Sequence, residues 1–399
     1  MTDSPIDEDG IRQCVASAFD AREPILVRGL GSKSAMLRPV QAARTLCTEA
    51  CAGVVLHAPK ELILTARAGT KVREIEATLA AAGQHLISEP PDLGPLLASG
   101  QGASIGGIVA TNLSGPRRIA WGATRDHLLG IRAVDGSGEI FRSGGRVLKN
   151  VTGLDLCKLL AGSHGTLGVI TELTLKVLPA PETTGSLLLA GLDPPRAVAA
   201  LAAALGSPFS VSGAAYLPAD AAARVPGLPP GTATLIRIEE FTASVAYRLG
   251  RLRDLLLDFA PGVMIDDATS RAMWRCIRDA EPLPQSPKDA IWRLSLRPSS
   301  GAAVAEALAT RIGARYFLDW GGGLVWLAAT PDAASQQAIS AAVTGAGGTW
   351  MLLRAPDSLR TAVDVIAPEP APLAALSRRM KDVMDPRRIL NPGRLYATL

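Results

Sequence analysis

Three glycine-dense stretches constrain this chain more than any other feature: Gly29-Leu30-Gly31, Gly100-Gln101-Gly102-Ala103-Ser104-Ile105-Gly106-Gly107 and Ala161-Gly162-Ser163-His164-Gly165-Thr166-Leu167-Gly168. Glycine loses more conformational freedom on folding than any other residue, so such density implies backbone that must approach something closely. The first stretch follows Pro24-Ile25-Leu26-Val27-Arg28, which reads as a buried strand, and continues into Ser32-Lys33-Ser34. Its Gly29-x-Gly31-x-x-Ser34 spacing lacks the third glycine, the following helix and the distal acid of a dinucleotide-binding fingerprint. Nor is it a Walker A loop, because Gly and Lys are not adjacent. It offers a tight turn whose backbone N–H groups converge on an anion.

The elements around these stretches change in kind along the chain. Residues 11–22 read as a short amphipathic helix, and 53–57 and 62–68 as strands joined at Pro59-Lys60. From Lys71, the repeat of Val72, Ile75 and Leu79 predicts a helix, with Thr70 placed to cap it and Gly83 to stop it. Residues 88–122 are rich in Gly, Pro and Ser without strong periodicity, which marks a functional loop system. Strands at 128–134 and 139–142 flank the hairpin turn Asp135-Gly136-Ser137-Gly138, and 168–177 alternates as a strand before the linker Pro179-Ala180-Pro181-Glu182. Beyond it, helices at 194–205, 243–259, 302–313 and 333–344 alternate with strands at 210–216, 233–239, 291–296, 324–327 and 349–353. That order predicts one sheet backed by helices. A helix at 373–384 leads into Asp385-Pro386 and then Asn391-Pro392-Gly393-Arg394. At 399 residues, with Gly 39 and Pro 29, two domains of mixed α+β structure are expected rather than a helix bundle.

Several function classes are excluded. The net charge of +4 is scattered, with no basic stripe interleaved with aromatics, so no nucleic-acid partner is expected. Five Cys without a CxxC encode neither a disulfide framework nor an iron–sulfur site in this chain. Cys47 and Cys51, four apart, read as packed thiols on a helix. The acidic start MTDSPIDEDG is the opposite of a signal peptide, and the most apolar stretch, 186–205, is broken by Asp193-Pro194-Pro195-Arg196. No transmembrane segment is expected, and the chain reads as cytoplasmic.

Three glycine loops in one domain would suit a diphosphate joined to a long flat ring system. Pro24–Gly31, Ser104-Ile105-Gly106-Gly107 with Ala110-Thr111-Asn112, Lys149-Asn150 with Gly153, and Gly162–Gly168 with Val169, Ile170 and Glu172 resemble the FAD-binding domain of the vanillyl-alcohol oxidase family. This is also called the para-cresol methylhydroxylase (PCMH) type. The resemblance implies an α+β fold: a PCMH-type FAD-binding domain of two subdomains over 1–180, a smaller α+β cap over 181–370, and 371–399 packing back on the FAD domain. It implies FAD contacts from Arg28, Gly29, Leu30, Gly31, Ser32, Lys33 and Ser34 in the first loop. The second stretch would contribute Pro90, Gly102, Ser104, Ile105, Gly106, Gly107, Ala110, Thr111, Asn112 and Gly115. The third would add Gly162, Ser163, Gly165, Thr166, Gly168, Val169 and Ile170, with Asn391 and Arg394 beside the flavin ring. Leu113-Ser114-Gly115-Pro116-Arg117-Arg118, followed by Arg125-Asp126, resembles the FAD-binding E subunits of bacterial glycolate oxidases. That implies oxidation of glycolate, a 2-hydroxy acid, to glyoxylate, with a homologous flavin subunit and an iron–sulfur subunit as partners. It also allows peripheral association with the inner membrane through the complex.

Departures from the family refine these expectations. The first loop carries no His, so FAD is expected to be non-covalent. All four His (His57, His85, His127, His164) precede residue 170, so a metal site built on His is absent from the cap. Leu154 and His164 stand where relatives often carry Tyr and Glu. His57 and His85 read as structural, and His164 reads equally as a cofactor neighbour or a solvent-facing residue. Lys33 reads as an exposed cation of small effect. Arg117 and Arg118 are candidates for a substrate-carboxylate clamp, with contact to FAD phosphate or a partner subunit as the alternative. Trp320 with Gly321-Gly322-Gly323 reads as a hairpin on the cap sheet, and Arg237, Glu239, Glu240 and Arg293 as either flavin-facing or solvent-facing. A self-sufficient 2-hydroxy-acid dehydrogenase and an assembly subunit without flavin remain the alternatives.

Overall fold

Alternating apolar residues build a five-stranded antiparallel sheet in the first of the two units into which the chain divides. The computed structural model describes residues 1–146, 154–284 and 286–398; Lys149-Asn150 and Gly153 therefore lie outside the described residues. The first unit takes in Met1–Ser114, Gly122–Ala180 and Pro368–Leu399, and the second Gly115–Trp121 and Pro181–Ala367.

In the first unit, β1 (Ile25–Arg28) and β2 (Arg44–Cys47) pair in parallel. The larger sheet runs in the order β3 (Val54–Ala58), β4 (Ile63–Arg67), β7 (Val169–Lys176), β5 (Leu128–Val134), β6 (Ile140–Gly144). Two clusters of buried residues hold it. Helix α1 (Glu8–Ala21), opened by the Asp7 carboxylate accepting from Gly10 N, buries Ile11, Val15 and Ala18 with Val134, Val169, Ile389 and Leu390. Helix α2 (Val72–Ala81) buries Val72, Ile75 and Leu79 as its spacing predicts, together with Leu64, Leu173 and Leu175. Thr70 does not cap that helix: its hydroxyl donates to Arg67 O at 2.6 Å and Gly53 O at 3.1 Å, which closes the preceding turn. Cys47 and Cys51 are buried thiols, but on the end of β2 and the bend after it rather than on a helix.

The stretch 88–122 contains helix α3 (Ile105–Thr111), which periodicity missed because two glycines and four β-branched residues depress its helix propensity. Burial of Ile105, Ile108 and Val109 in the larger cluster overrides that propensity. Helix α4 (Leu156–Leu160) buries Cys157 and Leu160 in the same cluster.

The second unit is an eight-stranded antiparallel sheet: β11 (Gly262–Ile265), β8 (Thr183–Ala190), β10 (Ala233–Glu240), β9 (Gly213–Leu217), β13 (Arg315–Asp319), β14 (Leu324–Ala329), β12 (Ala290–Ser295), β15 (Thr349–Arg354). Helices Pro194–Leu205, Thr242–Leu255, Asp267–Arg278, Pro298–Ile312 and Ala333–Gly345 pack beside it. Three of its strands, β8, β11 and β13, and the helix Asp267–Arg278 were not read from sequence. Trp320 opens a tight turn between β13 and β14, as the hairpin reading expects.

Candidate functional site

The three glycine loops of the first unit meet around α3. Ser104 caps that helix by accepting from Gly107 N at 3.3 Å, and its hydroxyl fills the place a Cβ on Gly29 would take, only 2.4 Å away. Gly106 lies flat on the end of β4, where a Cβ would stand 2.7 Å from Ala68 Cβ and 2.8 Å from Ala68 O. The third loop rests on the far end of α3, through Gly162 N to Val109 O at 3.1 Å and His164 N to Ala110 O at 2.8 Å. Three of its residues, Gly162, His164 and Gly165, take positive φ.

Asn391 ties these parts together. Its Oδ1 accepts from Val27 N at 2.7 Å, ahead of the first loop, and its Nδ2 donates to His164 O at 2.8 Å in the third. Arg394 donates to Lys33 O at 3.0 Å and Arg38 O at 3.1 Å, bracing the first loop from its own backbone. Both side chains thus hold loops. A second clasp, which sequence reading missed, is the buried pair Lys381–Asp385. Lys381 Nζ donates to Asp385 Oδ2 at 2.7 Å, to Thr166 O at 2.7 Å and to Leu390 O at 3.0 Å. The i,i+4 spacing just before Asp385-Pro386 was its only sequence signal.

The loops leave polar groups of the kind a cofactor satisfies. Gly100 and Gly102 are exposed, have no positive φ, and a Cβ on either would meet nothing within 4 Å. Neither packing nor backbone conformation demands glycine there. The Ser163 hydroxyl is buried without a hydrogen-bond partner among the described residues. Lys33 is not the exposed cation expected: it is half-buried, its ammonium donates to Ser32 Oγ at 3.4 Å, and burial pushes its pKa down to about 8 against the opposing charge of Asp92. His164 is buried rather than solvent-facing, and burial, with Arg394 and Lys33, lowers its pKa to about 3, which keeps it neutral. An unsatisfied hydroxyl, a crowded ammonium and open glycine backbone fit a large anionic cofactor.

The remaining predicted contacts fall in two groups. Leu30, Ser32, Pro90, Ile105, Thr166, Gly168, Val169 and Ile170 are buried, while Arg28 and Ser34 are exposed. Thr111 donates to Gly107 O at 2.7 Å, and Asn112 Oδ1 accepts from Arg125 N at 3.0 Å beyond Ala110. Gly115 groups with the second unit, where its carbonyl accepts from Trp320 Nε1 at 3.1 Å.

In that unit, Arg117 is not available as a carboxylate clamp. Its guanidinium grips Glu239 by two bonds, 3.0 and 2.7 Å, while Arg237 Nε lies 3.3 Å from the same carboxylate. Burial raises the Glu239 pKa, but the charges of Arg237 and Arg117, with hydrogen bonds from Arg117 and Ser212, hold it well below the usual carboxylate range. Arg237, fully buried, stacks on Trp274 at 4.7 Å and donates to Ser212. Glu240 faces outward near Arg248. Arg118 and Arg293 lie 4.6 and 4.8 Å from the centre of the Trp320 ring.

Known proteins place this geometry. A family model described as an FAD binding domain matches residues 3–144. The glycolate oxidase subunit GlcE of Escherichia coli (strain K12) is 34% identical over 385 residues, 96% of this chain and 96% of that one. The glycolate oxidase subunit GlcD of Bacillus subtilis is 31% identical over 186 residues, 46% of this chain and 38% of that one. Among solved structures, 4-ethylphenol oxidase from Gulosibacter chungangensis superposes with a TM-score of 0.72 at 13% identity, covering 100% of this chain and 89% of its own. p-Cresol methylhydroxylase gives 0.71 at 12% identity, covering 99% and 89%. The fold is of the PCMH type, and the sequence relatives make the chain an FAD-binding oxidoreductase. More narrowly, the chain belongs to the family of the glycolate oxidase subunit GlcE.

Proposed function

We propose that this chain is the FAD-carrying subunit of a complex that oxidises glycolate to glyoxylate, and that it hands electrons on rather than working alone. The observation that supports this best is the convergence of three glycine loops on Asn391, in a chain that matches a glycolate oxidase subunit almost end to end. Bound FAD supplies a two-electron acceptor. The first domain, with the C-terminal segment folded back onto it, holds the cofactor; residues 181–370 form the cap.

The chain's own residues set the environment. Backbone N–H groups of Gly29–Ser34 and the Lys33 ammonium would hold the diphosphate, and the Ser163 hydroxyl would supply a hydrogen bond to the cofactor. Asn391, Arg394 and Lys381 keep the loops in register. The first loop holds no histidine, which favours non-covalent attachment. Electrons would enter from a homologous flavin subunit and leave to an iron–sulfur subunit. Among the described residues no helix is long and apolar enough to cross a membrane, so a place at the inner membrane's cytoplasmic face would come through those partners.

The test is an absorbance spectrum of the purified chain before and after glycolate under nitrogen. A yellow protein that glycolate bleaches only once the homologous flavin subunit is added supports the reading. Rapid bleaching without partners would instead make the chain a self-sufficient dehydrogenase. A colourless protein that takes up no FAD would make it an assembly subunit.

A further inference from the structure

Every hydrogen bond that His164 makes among the described residues runs through its backbone. Its N–H donates to Ala110 O at 2.8 Å, on α3, and its carbonyl accepts from Asn391 Nδ2 at 2.8 Å. Between those two anchors the backbone is left-handed, with φ 53, so the direction in which the side chain leaves the loop is set. The residue is only 9% exposed, yet its imidazole takes part in no hydrogen bond among the described residues. Buried polar groups in native proteins are nearly always satisfied. The charges that act on the ring are both positive, Lys33 from the first loop and Arg394 from the C-terminal segment. Together with burial they keep it neutral, so one ring nitrogen carries a hydrogen and the other a lone pair. Its neighbour is in the same condition: the Ser163 hydroxyl, one residue earlier, is buried without a partner. Lys33 brings the second loop to this place as well, since its Nζ lies 3.6 Å from where a Cβ on Gly107 would stand.

We propose that the His164 imidazole is a neutral N–H donor to FAD, a side-chain contact beyond the backbone support that its loop provides. The proposal rests on FAD as the cofactor and adds one named donor to its site. Acceptors are what FAD offers most of: phosphate oxygens, hydroxyls, and the carbonyl oxygens and ring nitrogens of its two ring systems. A neutral donor suits this corner because Lys33 and Arg394 already supply positive charge there. An imidazolium would add a third cation to a buried cluster, and desolvating it would be costly. A carboxylate in the same place would have no proton to donate and would repel the diphosphate. The neutral ring avoids both.

The experiment is nuclear magnetic resonance of the full chain carrying histidine labelled in its ring nitrogens, stripped of flavin and then titrated with FAD. The sequence holds His 4, so the spectrum is simple, and His164→Asn removes one imidazole and thereby names it. Saturating FAD is expected to move the His164 ring nitrogens to the positions of a single neutral tautomer whose N–H exchanges slowly with water. Affinity is read beside it. His164→Asn keeps an N–H donor on a side chain that tolerates the left-handed backbone, whereas His164→Asp has the same size and tolerance but only accepts. The Asp variant should bind FAD at least about tenfold more weakly than the Asn variant, the scale of a lost hydrogen bond to a charged group. Ring signals that FAD leaves unmoved, a ring that becomes doubly protonated, or equal FAD affinities of the two variants would each overturn the proposal. Should the Asp variant fail to fold, the wild-type ring spectrum decides. A chain that takes up no FAD counts against the cofactor reading and this contact together, whereas one that binds FAD with its His164 signals unmoved counts against the contact alone.

Discussion

Gly102 and Gly106 are four residues apart in one loop, yet opposite conditions surround them. A methyl group on Gly106 would press into Ala68, backbone included; one on Gly102 would meet nothing within 4 Å. Gly106→Ala should therefore cost about 1–3 kcal/mol of stability by overpacking, read as a shift in the urea midpoint. Gly102→Ala should leave that midpoint within about 0.5 kcal/mol while weakening FAD uptake, read by titrating flavin into stripped protein. Unchanged FAD affinity in Gly102→Ala would remove that glycine from the cofactor site. The sequence displayed the cluster but not this division, because the neighbour that decides it, Ala68, is remote in the chain. The same limit applied to Lys33 and His164, whose burial comes from folding rather than from adjacent residues. For His164 the sign of the pH effect is fixed. Its folded pKa of about 3 lies below the ordinary 6.5, so its contribution to stability is complete above pH 6.5 and is lost as pH falls toward 3. Between pH 6.5 and 4.5, the wild type should lose up to about 1.4 kcal/mol per pH unit more than His164→Asn. Asn tolerates the left-handed backbone at this position (φ 53). Parallel stability curves for the two proteins would contradict the shift.

At the level of elements, strong periodicity was legible and weak periodicity was not. Helices α1 and α2 and strand β5 declare themselves through regular apolar spacing. Helix α3 does not, because Gly106, which lets it lie against the end of β4, and Gly107 beside it erase the pattern. Strand β8 opens on Thr183-Thr184-Gly185-Ser186 and closes on three leucines and an alanine, buried on both faces of the sheet, and such a run shows neither alternation nor helical spacing. The C-terminal helix, Ala371–Met384, was visible, but its hold on the third loop through Lys381 was not. Lys381→Met should cost about 3–5 kcal/mol by leaving Asp385 buried without its ion partner. It should also loosen the loop, so that thermal melting temperature and FAD affinity fall together. A melting temperature equal to wild type would show that Asp385 is sufficiently satisfied by Ile389 N and Leu390 N, at 3.0 and 2.8 Å.

On the scale of the whole chain, neither unit is one continuous segment: the first needs Pro368–Leu399, and the second borrows Gly115–Trp121. A chain ended at Ala367 should retain the strands of the second unit's sheet yet take up no FAD, because Lys381, Asp385 and Asn391 would be missing. Circular dichroism beside flavin absorbance checks this, and flavin uptake by the shortened chain would contradict it. The non-contiguous first unit also bears on how the protein is made. A ribosome releases residues 368–399 only after every residue of the second unit, so domains that fold as they emerge would complete here in reverse of their numbering. The unit that begins the chain is the last able to close. Flavin loading is then a step that follows synthesis, and a message broken before its final stretch yields polypeptide that withdraws no FAD from the cell's pool.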